Sequence, residues 1–178
     1  MSMTRIVTAA AIAAALTVAS PARAQMPNFT VEAFGGWQNL QLATNSVGNA
    51  LGGSEGTGIV GADVMAGFGL LGIGAVVDKT VSGGRQPWAG ALMAGALIPA
   101  SVLRIELMGE LGRRGSDFGN LFDSGGQTFV GFRPGVSLRM ALTPLVVGVS
   151  GIVRWQTSGG DFGSPDYGIV ARIGFGFF

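Results

Sequence analysis

The stretch VLRIELMGEL, residues 102–111, sets Arg104, Glu106 and Glu110 at even steps among apolar residues. Two carboxylates on one face can share acid–base work, one giving a proton and the other accepting it. An arginine beside them can equally hold both as ion pairs. The rest of the chain favours the second chemistry. It has no histidine to serve as a catalytic base, and no cysteine for a disulfide scaffold or a lipid-modified N-terminus. Neutralisation of neighbouring arginines is therefore the expected role of Glu106 and Glu110. No catalytic residue, metal site or cofactor is expected, and the chain is not read as an enzyme.

The element that positions these residues follows from their spacing. On a helix they would point several ways. On a β-strand Arg104, Glu106, Met108 and Glu110 share one face, while Leu103, Ile105, Leu107 and Leu111 take the other. The same sorting recurs along the chain. Near Phe29–Gln38, Phe29, Val31, Ala33 and Trp37 oppose Thr30, Glu32, Phe34 and Gln38. Over Gly58–Phe68, Val60, Ala62, Val64, Ala66 and Phe68 oppose Asp63, Gly61 and Gly67. Over Thr128–Met140, Val130, Phe132, Val136, Leu138 and Met140 oppose Arg133, Ser137 and Arg139. Over Leu145–Gln156, Leu145, Val147, Val149, Val153 and Trp155 oppose Ser150, Arg154 and Gln156. In the last segment Tyr167, Ile169, Ala171, Ile173, Phe175 and Phe177 oppose Arg172 and glycines. Two further segments, Leu71–Asp78 and Trp88–Ile98, are apolar on both parities and carry no orientation.

Eight such segments alternate between short and long connections. The short ones fall around Gly69, at Pro99-Ala100 and at Thr143-Pro144. The long ones, roughly 39–57, 79–87, 113–127 and 157–166, are rich in Gly, Ser, Asn and Asp. That rhythm predicts an all-β, eight-stranded antiparallel up-and-down barrel. The apolar faces then meet hydrocarbon and the charged faces fill the interior, with closure satisfying the backbone. An arginine pointed at the bilayer centre would cost about 2–4 kcal/mol. Inside, Glu32, Asp63, Glu106 and Glu110 can pair with Arg104, Arg133, Arg139, Arg154 and Arg172. Eight strands leave room for side chains only, so the interior is expected to be plugged.

Composition agrees with a two-solvent protein: 178 residues, 48% hydrophobic, 12% charged and 32 glycines. The first 24 residues read as a signal peptide, with Arg5, an apolar run from Ile6 to Val18 and Ala22-Arg23-Ala24 before the cut. That run is shorter than the ~20 residues a spanning helix needs. The barrel then occupies residues 25–178, with nine basic against ten acidic residues, and nothing points to nucleic acid. Trp37, Trp88, Trp155 and Tyr167 fall at one end of their segments. Phe29, Phe68, Phe175 and Phe177 fall at the other, as two interface girdles would require.

With the closing sequence YGIVARIGFGFF, the chain resembles the small eight-stranded outer-membrane barrels of OmpA and OmpX type over about residues 27–178. The resemblance implies residence in the outer membrane of a Gram-negative bacterium, contact with its lipid, and recognition of the last strand by barrel-assembly machinery. Lipid A deacylases, phospholipases and omptin proteases are also outer-membrane barrels, but their catalysis uses a histidine that this chain lacks. The expected role is structural or surface interaction through the loops, with a small porin-like channel as the alternative.

Other patterns carry less. GFGLLG, residues 67–72, fits a dinucleotide fingerprint only in letters, since Asp78 falls too near for the acidic partner, and a tight turn explains the glycines. GGSEGTG, residues 52–58, lacks a phosphate-loop lysine and reads as an outer loop. GSDFG and GGDFG, at 115–119 and 159–163, echo each other and offer Phe118 and Phe162 as loop contact points. Asp117, Asn120 and Asp123 lack calcium-loop spacing. Rival architectures are a helical hairpin over Ile59–Val77 and Trp88–Leu103, a soluble sandwich, and a lipocalin-like binder.

Overall fold

The computed structural model describes residues 28–41, 54–83, 86–121, 126–140, 143–158, 161–163 and 165–177. The leader expected over 1–24, Asp123 and Phe178 lie outside the described residues, as do the side chains of Asn120 and Phe162.

Alternation of apolar and polar residues in β1, β2 and β5, and runs apolar on both parities in β3 and β4, build the strands β1 (Asn28–Gln41), β2 (Ser54–Phe68), β3 (Leu71–Thr80), β4 (Trp88–Ala100) and β5 (Leu103–Gly115). They continue as β6 (Gln127–Arg139), β7 (Leu145–Ser158), a two-residue β8 (Asp161–Phe162) and β9 (Asp166–Phe177). Each long strand pairs antiparallel with the next one along the chain. β1 then pairs with β9, from Phe29↔Phe177 to Asn39↔Tyr167. The eight long strands thus form a closed antiparallel barrel. β8 only extends β7 into a small hairpin, through Thr157↔Phe162 and Ser158↔Asp161.

The helical-hairpin rival is excluded, since its residues lie in β2 to β5 and their turns. The two segments that carry no orientation in the sequence acquire one from their neighbours. β3 turns Val76, Asp78 and Thr80 inward, and β4 turns Ala89, Ala91, Met93 and Leu97 inward, leaving Leu92 70% exposed on the outer wall.

Several boundaries differ from the sequence reading. Pro99 and Ala100 belong to β4, with Pro99 opposite Arg104, and the turn is Ser101-Val102. A proline at a strand end gives up no needed ladder bond. Ser54–Gly58 of the GGSEGTG stretch is strand, not loop, paired with the end of β1 through Gly56↔Asn39 and Gly58↔Trp37. β5 runs on to Gly115, and a short 3-10 turn, Gly119–Leu121, follows it. Between β6 and β7 the recorded pairing passes from Phe132↔Val153 to Gly135↔Ser150. Pro134 sits in that gap and has no amide to donate.

Two of the tight turns place their first residue at positive φ, Gly69 at 63° and Ser101 at 61°. Glycine adopts that conformation without penalty, whereas a serine side chain crowds its own backbone. Ser101→Gly should therefore raise stability by about 1 kcal/mol, read as a higher urea midpoint for unfolding from lipid vesicles. Gly69→Val should lower it.

Candidate functional site

The inner wall is where the sequence places its chemistry, and β5 is its spine. Reading from the short-turn end towards the long-loop end, Arg104, Glu106, Met108, Glu110 and Arg114 all point inward and are buried. Arg104 and Glu106 belong to one group of ion pairs, Glu110 to a second, and Arg114 to a separate pair near the long-loop end.

Glu106 anchors the first group. Its Oε1 accepts from Arg104 Nε at 2.7 Å and from Ser137 Oγ at 2.7 Å. Its Oε2 lies 2.7 Å from Arg172 Nη2. Arg172 also reaches Glu32 at 2.9 Å, and Arg104 approaches Glu32 at 4.0 Å. Two arginines and two glutamates thus balance across β1, β5 and β9. Glu110 anchors the second group, accepting from Arg133 Nε at 2.6 Å and from Arg154 Nε at 2.7 Å. Arg133 Nη1 extends to Asp63 at 3.6 Å, and Arg154 Nη2 donates to Asp78 at 2.7 Å. Near the long-loop end Arg114 pairs with Asp166.

These contacts have a common geometry. In a closed ring of eight strands, each strand faces the one four positions on. Arg104–Glu32 joins β5 to β1, Arg133–Asp63 joins β6 to β2, and Arg154–Asp78 joins β7 to β3. Three of the four diameters are therefore spanned by ion pairs. The fourth, from β4 to β9, has no charged residue on β4, and the inward Met93 and Leu97 occupy that side. Aromatic rings complete the packing: the Arg133 guanidinium lies 4.8 Å from the Phe34 ring centre, and that of Arg154 lies 4.8 Å from Phe129. Such stacking suits a weakly hydrated planar cation.

Interior glycines make room for these long side chains. A Cβ on Gly131 would stand 3.0 Å from both Arg154 Cγ and Glu110 Oε2, and one on Gly135 would lie 3.2 Å from Arg172 Nη2.

Among the charged residues singled out in the sequence, Glu32, Asp63, Arg104, Glu106, Glu110, Arg133, Arg154 and Arg172 come together in these two groups. Arg139, the last residue of β6, is half-buried and donates to Asn28 Oδ1 at 3.5 Å. Sequence reasoning missed Asp78 because its strand is apolar on both parities. It also missed Arg114 and Asp166, which lie in stretches read as loop. The even spacing of Arg114 after Glu110 was the available signal for a longer β5.

The outer wall is the reverse of the inner one. Phe29, Phe68, Leu71, Phe175 and Phe177 stand exposed near the short turns. Trp37 and Tyr167 stand exposed near the long loops, their rings 6.1 Å apart and edge-on. Trp88 meets Phe118 edge-on at 5.4 Å, and Trp155 sits opposite Val130 near the same end. Between the two ends the exposed side chains are largely Val, Ile, Leu and Ala. A continuous apolar belt of that kind is a surface that water does not favour.

A closed eight-stranded barrel with a charged interior and an apolar wall has the fold of the small outer-membrane barrels. Among solved structures, the chain is similar to the N-terminal β-barrel domain of Pseudomonas aeruginosa OprF, with a TM-score of 0.60 and 11% identity over 84% of this chain and 97% of that one. It is similar also to Neisserial surface protein A, NspA, at a TM-score of 0.57 and 14% identity over 86% of this chain and all of that one. No protein-family model matches the chain, and no curated protein matches it.

Removing one member of a buried pair strands its partner, at a cost of about 3–5 kcal/mol. Arg154→Leu should destabilise by that amount in urea titrations of the vesicle-folded protein. Arg154→Leu combined with Asp78→Leu should cost less than the two single changes added together, because the doubly substituted diameter strands one carboxylate fewer.

Proposed function

We propose that the protein is a non-enzymatic integral barrel of a Gram-negative outer membrane, serving a structural or surface-interaction role. The observation that carries this reading is the inversion of the walls. Leu92, Leu111, Ile169 and Ile173 stand exposed outside, while Arg154, Glu106 and Glu32 are almost wholly buried inside. Hydrocarbon around the belt stabilises what water would not, and each of the eight long strands has a hydrogen-bonded neighbour on each side. The likeness in fold to OprF's barrel domain and to NspA supports the same placement.

In this reading Trp37, Trp88, Trp155 and Tyr167 mark one membrane boundary, and Phe175 and Phe177 the other. The short turns face the periplasm and the long connections face outward, where Phe118 is 51% exposed and available to a surface ligand. β9, ending in alternating aromatics, is the segment offered to barrel-assembly machinery. The charged interior serves as structure: Glu106 is held by Arg104 and Arg172, and Glu110 by Arg133 and Arg154.

The channel alternative needs a water path between the two ends. Instead the three ionic diameters cross the interior, and the buried Phe129 and the Arg114–Asp166 pair lie towards the long-loop end. Purified protein in planar bilayers should therefore show no steady conductance, and stable ohmic steps would favour the channel. On gels the unboiled protein should run at a different mobility from the boiled form. A single mobility under both conditions would sink the barrel reading.

A further inference from the structure

We propose that the outer wall over β2 to β5 seats an anionic, phosphate-bearing lipid, with its phosphate between Lys79 and Arg113 and an acyl chain in the groove beside them. This inference rests on the membrane reading above and adds a headgroup preference to it.

The first observation is the placement of charge. Among the described side chains of the barrel strands, the outward parity carries two charged residues, Lys79 and Arg113, and both are cations. Lys79 is the chain's single lysine. Lys79 on β3 pairs in register with Trp88 on β4, and its Nζ lies 5.3 Å from the centre of that ring. Arg113 on β5 pairs with Gly90, one outward step below Trp88, and its Nη2 donates to Gly126 O at 3.0 Å. The two cations thus flank Trp88 near the long-loop end of the wall. Outward charge near an interface is far less costly than at the bilayer midplane, so this depth suits a headgroup contact.

The second observation is the wall directly below. A groove of about 710 Å³ is lined by Val64, Ile73, Ala75, Leu92, Ala94 and Leu111. Register aligns it with the cations: Ala75, Leu92 and Leu111 form one row, Val77, Gly90 and Arg113 the next, and Lys79 and Trp88 the row above. Rows two residues apart lie about 6.6 Å apart. The groove therefore begins within one row of Arg113 and two rows of Lys79. A molecule with an anionic head and an apolar tail matches both parts at once. A second copy of this chain matches less well, because no described outward strand side chain is a carboxylate that could meet these cations.

The test uses full-length folded protein carrying Trp37→Phe and Trp155→Phe, which leaves Trp88 as the reporter. It is placed in phosphatidylcholine vesicles holding equal mole fractions of brominated-chain phosphatidylglycerol or brominated-chain phosphatidylcholine. Quenching of Trp88 should be several-fold stronger with the anionic lipid. The excess should vanish in Lys79→Ala/Arg113→Ala and persist in Lys79→Arg. Equal quenching by the two lipids, or an excess unchanged in the double variant, would overturn the proposal. Loss of the excess to added inorganic phosphate would overturn it too, assigning the cations to free anion. Heat-dependent gel mobility is followed in every variant. Its absence throughout would defeat the membrane-barrel reading, whereas retained mobility with equal quenching defeats the lipid seat alone.

Discussion

An arginine held between two carboxylates from different strands is the contact on which this barrel is built. Arg104, Arg133, Arg154 and Arg172 each take that role. Charges removed from water are costly unless their partners are well placed, and a buried pair gains little over an apolar pair of the same shape. The value of the arrangement lies in specificity. Slipping β1, β5, β6, β7 or β9 by one residue would turn its arginine or carboxylate to the outer wall and break at least two ion pairs at once. Register is therefore fixed by ions inside and by apolar residues outside. The glycines follow from the same constraint, since the Arg154 stem and Glu110 carboxylate lie where a side chain at 131 would stand, and Ser150 and the Arg172 guanidinium where one at 135 would.

How much of this was legible depended on how much contrast each strand carried. β5 announces itself, because Arg104, Glu106 and Glu110 alternate with leucine and isoleucine. The charged faces of β1, β2, β6, β7 and β9 follow by the same rule. β3 and β4 give no such contrast: the run from Leu71 to Val77 is apolar at both parities, so only hydrogen-bonded neighbours reveal that Asp78 points inward to Arg154. The ends of strands were least visible. Gly, Ser and Asp suggested loops where Ser54–Gly58 and Arg113–Gly115 continue as strand, since pairing with an existing neighbour overrides weak local preference. Pro99 suggested a turn two residues before the one that Ser101 makes.

The division of labour between the two walls shapes what the protein can offer a partner. Among the described residues the interior is crossed by ion pairs between facing strands, and under the proposed reading it serves as structure. Recognition then falls to the rims and to the outer wall, where the aromatic residues gather and where Lys79 and Arg113 break the apolar surface. The absence of charge on β4 is part of the same pattern. Its inner face packs with Met93 and Leu97, and its outer face lies between the two strands that carry those cations.

Arg172 sits on the last strand, yet its partners are Glu32 on the first and Glu106 on the fifth. Until the C-terminal segment docks, those two glutamates face each other with Arg104 as their shared counter-ion, one positive charge for two negative ones. A partly assembled sheet is thus electrostatically unfinished, and the completing guanidinium arrives in the same event that zips the ends of the chain together. Closure of the sheet and balance of the interior charge thus depend on the same strand.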